Sequence, residues 1–233
     1  MKTKETVCAL HIVSFVIEKV SIMLDKKIFY NDFVGEIGYW LYTPDEPSDD
    51  MPLILFLHGA GECGKDLQLV CKHGIPKMIV EEGLSLPSYA IFPQCPGAYV
   101  WPDLVIPLKA LIDSVVSEYK IDKSRIHVTG LSMGGYGTWA MGRAFPNLFA
   151  SLAPICGGGL SWAVGSLKMP IRAFHGEKDS VVPLRNSVEM VDAVNANGGN
   201  ASLTIFPETD HDSWDAAYGK TDLIEWILAQ KKA

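Results

Sequence analysis

Seven short apolar runs alternate with segments of helical periodicity, and that alternation restricts the chain more than any other feature. The runs are residues 37–42, 53–57, 89–92, 126–129, 152–155, 171–174 and 203–206, each closed by glycine, proline or charge. They read as strands. Between them, residues 66–82, 105–119, 135–145, 184–197 and 213–230 carry helix-like patterns. In the second of these, Leu108, Leu111, Ile112, Val115, Val116 and Tyr119 recur at steps of three and four, which makes one apolar face. Strands that are almost continuously Val, Ile and Leu must be covered on both faces. The expectation is therefore an α/β fold with a mostly parallel sheet between helix layers. In such sheets the functional groups lie on loops beyond the carboxyl ends of the strands.

With 233 residues, 48% of them hydrophobic and 20% charged, the chain has the size and composition of one globular domain. A formal charge of -7 with no Lys/Arg cluster argues against nucleic acid or an anionic membrane as partner. The five cysteines, Cys8, Cys63, Cys71, Cys95 and Cys156, contain no CxxC pair, so we expect thiols in a cytoplasm rather than a metal site. A bond between loop cysteines such as Cys63 and Cys95 stays open, as does export. The apolar run from Val7 to Ile17 holds His11, ends in Glu18-Lys19 and lacks a small-x-small cleavage site. It is too short to span a bilayer, and we expect residues 1–30 to form a strand-like extension. The sequon at Asn200 is read as incidental.

A serine placed among glycines between a strand and a helix points either to a turn that its chemistry requires or to close packing alone. "RIHVTG" runs into Gly130-Leu131-Ser132-Met133-Gly134, and "YGTWAMGRAF" follows. The pentapeptide fits the G-x-S-x-G elbow, whose glycines let strand and helix backbones pass while the turn exposes the hydroxyl. A serine hydroxyl needs a base. His211 follows the last predicted strand in "LTIFPETDHDSW" and is the candidate. His58 and His175 also follow strands, the first in a loop suited to another role and the second in a bracing position. A carboxylate is then needed to fix the imidazole. Asp179, on the loop after the next-to-last strand, is preferred over Asp210 and Asp212, which flank the histidine too closely in sequence.

Two N–H groups are expected to face the developing oxyanion. One is that of Met133, directly after the nucleophile. The other is that of Ala60, with Gly61 as the alternative, in the His58-Gly59-Ala60-Gly61 loop.

The segments "LHGAGECGKD", "FPQCPGAYVW", "GLSMGGYGTWAMGRAFPNLFASLAPICGG", "FHGEKDSVVP" and "DHDSW" together resemble serine esterases of the α/β-hydrolase superfamily. They are similar in particular to the poly(3-hydroxybutyrate) depolymerase-like and feruloyl/acetyl esterase-like group, often labelled predicted peptidases. The resemblance runs from about residue 37 to the C-terminus. It implies a single α/β-hydrolase domain, the triad Ser132, Asp179 and His211, and cofactor- and metal-independent hydrolysis of small or polymer-attached esters. A peptidase or amidase of the same fold and a non-catalytic binding module are the alternatives. Only about thirteen residues separate the runs ending at Ile155 and starting at Ile171, too few for a helical lid, so the cleft is expected to be open. Trp101, Trp162 and Trp214 lie near strand ends and are candidate substrate-lining residues. Glu62 is read either as steering the oxyanion loop or as solvated.

Overall fold

A computed structural model describes residues 24–232. The apolar run at residues 7–17, Cys8 and most of the expected N-terminal extension lie outside them. Eight strands form one sheet: β1 (Leu24–Asn31), β2 (Gly35–Tyr42), β3 (Met51–Leu57), β4 (Tyr89–Pro93), β5 (Ile121–Leu131), β6 (Ser151–Ile155), β7 (Pro170–Gly176) and β8 (Asn200–Phe206). Their spatial order is β1-β2-β4-β3-β5-β6-β7-β8. The pairs β1–β2 and β2–β4 are antiparallel, and every pair from β4 through β3 to β8 is parallel.

Strand β3 shows how the sequence dictates this layering. Side chains alternate across a strand with period two, so Leu53, Leu55 and Leu57 enter one core while Ile54 and Phe56 enter the other. All five are fully buried. Burial of each such side chain is worth roughly 1.5–3 kcal/mol. Three helices cover the first face: α2 (Val105–Glu118), α3 (Met133–Ala144) and α4 (Arg185–Ala196), through Leu108, Trp139 and Val194 among others. The second face is covered by α1 (Gly74–Glu82), α5 (Trp214–Gly219) and α6 (Leu223–Ala229), through Ile79, Tyr218 and Ile227 among others. The periodicity of α2 is met by burial of Leu108, Leu111, Ile112 and Val115.

Two expected helices are broken. Residues 66–82 form a 3₁₀ stretch, Leu67–Lys72, and then α1. The break falls at Gly74, whose φ of +62° no side-chain-bearing residue adopts readily. The expected 213–230 helix divides into α5 and α6 around Lys220–Asp222, where Thr221 Oγ1 accepts the N–H of Leu223. Strand β5 is longer than its apolar run: Ile121 pairs with Met51 and Ile126 with Leu53, so the polar residues 122–125 bulge between two paired positions of the same strand. Among the described residues no helix is long and apolar enough to cross a membrane.

Two buried histidines couple this fold to pH. His127 on β5 is fully buried, with Nδ1 2.9 Å from Ser151 Oγ, and burial, helped by the Arg125 charge, lowers its pKa to about 3. Burial likewise lowers His58 to about 4, partly offset by its bond to the Gly59 carbonyl. The folded state thus keeps both neutral, whereas the unfolded chain takes up protons below about pH 6.5. Their contribution is fully present above that value and is lost as pH falls toward 4 for His58 and toward 3 for His127. We expect urea unfolding at pH 7 and pH 4 to differ by on the order of several kcal/mol. Equal midpoints at the two pH values would contradict neutral burial.

Candidate active site

The elbow at the end of β5 is built by close backbone approach. Ser132 has φ 54° and ψ -116°, a conformation that costs on the order of 1–3 kcal/mol in a non-glycine residue. Its N–H donates to the Ile155 carbonyl at 2.9 Å, which ties the turn to β6. A Cβ at residue 134 would lie 1.9 Å from the Leu57 carbonyl oxygen, and one at residue 130 would lie 2.6 Å from it. The glycines at both positions are therefore required by the crossing of β3, β5 and α3.

Three loops meet at this turn. His211 Nε2 lies 2.8 Å from Ser132 Oγ, and His211 Nδ1 lies 2.8 Å from Asp179 Oδ2. The Asp179 side chain is fully buried, and its Oδ1 accepts the N–H groups of Val181 (2.9 Å) and Val182 (2.7 Å). Those bonds fix the carboxylate plane, which leaves Oδ2 to face the imidazole. Ser132, His211 and Asp179, the three residues expected to meet, are thus brought together from the ends of β5, β8 and β7.

Two further side chains, Asp210 and His175, hold these loops. Asp210 Oδ1 accepts the N–H of Ser180, the hydroxyl of Ser180 and the N–H of His211, so one side chain clips the carboxylate loop to the histidine loop. These donors lower its pKa, the Ser180 N–H most. This exposed carboxylate does not meet the imidazole as an orienting acid; it fastens the loop of Asp179 to the loop of His211. His175 is fully buried in the expected bracing position. Its Nε2 lies 2.9 Å from the Val182 carbonyl and 3.2 Å from Asp179 Oδ2, and its Nδ1 lies 2.7 Å from Ser187 Oγ.

The Gly59–Ala60 loop stands against the nucleophile, since a Cβ on Gly59 would lie 3.7 Å from Ser132 Cβ. Ala60 opens a short 3₁₀ turn, Ala60–Glu62, and Met133 opens α3. N–H groups at the first position of a helical turn have no partner within that turn. His58 secures this loop. Its Nδ1 lies 2.6 Å from the Gly59 carbonyl while Nε2 lies 3.0 Å from the Cys95 N–H. The Cys95 N–H must donate to Nε2, which assigns the proton to Nδ1. Glu62 is 5% exposed, so it is a buried part of the loop rather than a solvated residue, with Oε1 3.8 Å from His73 Nε2.

The three tryptophans have different fates. Trp101 does not line the cleft: it is fully buried, with its indole N–H donating to the His58 carbonyl at 2.9 Å and its ring 4.9 Å from that of His58. Packing under the oxyanion loop won over exposure because the preceding loop turns the indole into the core. Trp214 meets the His211 ring edge-on at 5.3 Å. Trp162, 81% exposed, sits on the three-residue 3₁₀ turn Ser161–Ala163, which is the sole helical element between β6 and β7. No helical lid is built there.

A cysteine completes the surroundings. Cys156 Sγ, Asp179 and His211 bring ligand atoms within 4.8 Å of one another. This trio does not suit a metal, because the carboxylate and imidazole are bonded to each other and burial pushes the Cys156 thiol up to about 12. A thiol ligand would have to be deprotonated. Cys63, Cys71 and Cys95 likewise form no disulfide among the described residues, and burial raises all three thiols.

A mostly parallel sheet sandwiched by helices, with a serine elbow after β5 and an aspartate and a histidine on later loops, has the architecture of the α/β-hydrolase class. The chain belongs to the dienelactone hydrolase family, whose model matches residues 100–216. It is 42% identical over 139 residues to poly(3-hydroxyalkanoate) depolymerase C of Paucimonas lemoignei, covering 53% of this chain and 32% of that one. It is 27% identical over 165 residues to the bifunctional acetylxylan esterase/xylanase XynS20E of Neocallimastix patriciarum, covering 65% of this chain and 23% of that one. The chain therefore spans about a third or less of these two relatives. Among solved structures, that of a thermostable esterase matches with a TM-score of 0.77 at 35% identity, over 90% of this chain and 63% of the other.

Proposed function

We propose that the protein is a serine carboxylesterase working through an acyl-enzyme. The observation that carries this reading is the unbroken chain Ser132 Oγ–His211 Nε2 and His211 Nδ1–Asp179 Oδ2, with 2.8 Å at each step. His211 takes the hydroxyl proton as Oγ attacks the ester carbonyl. The tetrahedral oxyanion is held by the N–H groups of Ala60 and Met133, aided by the positive end of α3. Collapse expels the alcohol, which receives its proton from His211. Water then attacks the acyl group with His211 again as base, and Ser132 leaves with the returned proton. Asp179, held by Val181 and Val182, keeps the imidazole in the tautomer that accepts from Ser132 and stabilises the imidazolium.

The named relatives support esters as substrates, polymer-attached ones included, and the lack of a helix between β6 and β7 supports an uncovered approach. The free thiols agree with a cytoplasmic setting. Hydrolysis of p-nitrophenyl acetate by the wild type and by Asp179→Asn tests the reading. The asparagine fits the site but favours the wrong tautomer, so kcat is expected to drop by about 10³–10⁴ with little change in KM. Wild-type inactivity on a panel of short esters, or an Asp179→Asn enzyme within a few-fold of wild type, would overturn it.

A further inference from the structure

Helix α3 does more than present the nucleophile. Tyr136, Trp139, Ala140 and Arg143 follow Ser132 at offsets of 4, 7, 8 and 11, so they share the helix face that begins at the serine. The Tyr136 N–H donates to the Ser132 carbonyl at 3.1 Å, so the helical path is continuous from the nucleophile. These four side chains form one wall of a pocket of about 280 Å³. Gly158, Gly159, Leu160 and Met190 form the facing wall. At 1.5 Å per residue the pocket extends from about 6 to about 16 Å along the axis from Ser132.

The walls have a consistent chemistry. Trp139 and Met190 are almost wholly buried, while Leu160 is 41% exposed at the opening. The facing wall depends on missing side chains: a Cβ on Gly158 would lie 2.8 Å from Asn186 Cβ and 3.3 Å from Tyr136 Cε1. Tyr136 is itself fixed, its hydroxyl accepting from Asn186 Nδ2 at 2.8 Å. The volume falls at the small end of ligand pockets, roughly 300–1,000 Å³. It suits one aromatic ring or a short alkyl chain.

We propose that this groove is a substrate subsite that takes an apolar arm of the ester while the carbonyl sits at Ser132. The proposal rests on the esterase reading for its catalytic test but not for its binding test. Two ester series identify which arm enters. p-Nitrophenyl 3-phenylpropionate against p-nitrophenyl acetate varies the acyl arm, and 3-phenylpropyl acetate against ethyl acetate varies the alcohol arm. Ala140→Phe fills the groove from α3, and Leu160→Asp places a charge at its opening. In one series, the long-to-short ratio of kcat/KM should fall at least about tenfold in both variants, because the arm loses its apolar burial. Unchanged ratios in both series, or equal losses for long and short esters, would overturn the subsite.

Should Ala140→Phe fail to fold, Leu160→Asp, at an exposed position, decides alone. Binding of 3-phenylpropionate and 3-phenylpropanol, followed by tryptophan fluorescence with Trp139 in the wall, is read independently of turnover. A saturable change that weakens at least about tenfold in Leu160→Asp supports the groove even for a protein that cleaves no ester. Identical titrations of wild type and Leu160→Asp, or no binding of either probe, would refute it even if ester hydrolysis is confirmed.

Discussion

Replacing Ser132 with alanine is expected to lower kcat/KM for p-nitrophenyl acetate by about 10⁴-fold or more while leaving the thermal midpoint within a few degrees of wild type. The rate falls because no other hydroxyl among the described residues is held by His211: Nε2 has Ser132 Oγ at 2.8 Å, and Nδ1 is committed to Asp179. Stability is spared because the strained φ of 54° belongs to the turn, whose cost alanine and serine share. The bond that anchors the turn runs from the residue 132 N–H to Ile155 and survives the change. Steady-state rates with a calorimetric scan check both halves. A variant retaining a tenth of the wild-type rate would remove Ser132 from the chemistry.

Gly134→Ala, two residues further along the chain, is expected to do the opposite damage. Its methyl would sit 1.9 Å from the Leu57 oxygen and 2.5 Å from the Leu57 carbonyl carbon, both backbone atoms of a strand paired on both sides. A flexible side chain rotates away from such a contact, but a central strand does not. Overpacking typically costs about 1–3 kcal/mol, and a clash with immobile backbone puts this case at about 4 kcal/mol or more, the exceptional class. We expect little soluble protein, or a urea midpoint far below wild type. Gly61→Ala is the internal control, since nothing among the described residues lies within 4 Å of its added Cβ, and it should change stability by no more than about 0.5 kcal/mol. Equal stability of the two variants would show that the elbow glycines are not set by close approach.

What could be read from the sequence follows from what buries each residue. Strands such as Leu53–Leu57 were legible because burial on both faces demands an unbroken apolar run. The meeting of Ser132, Asp179 and His211 was legible because each lies on the loop after a strand, and because the elbow glycines mark the sharp turn at Ser132. Helix ends within a continuous periodic pattern were not. The break at Gly74 depends on a positive φ, and the break near Thr221 depends on a local hydroxyl bond, neither of which disturbs the apolar spacing. Trp101 was misread because position near a strand end does not say which way an indole points. The clip made by Asp210 was missed because its partner, Ser180, is 30 residues away in sequence, and adjacency to His211 suggested only a failed triad member. The α3 groove had a visible half, the spacing of residues 136, 139, 140 and 143, but its other wall comes from the β6–β7 segment and α4.

Fluorophosphonate labelling followed by peptide mass mapping probes the nucleophile most directly, because the adduct persists where an ester-derived acyl group would hydrolyse. One phosphonyl group per chain is expected on the oxygen of Ser132, with labelling slowed by orders of magnitude in His211→Ala. An esterolytically active protein that takes up no label, or that carries it on a different residue, would contradict the account.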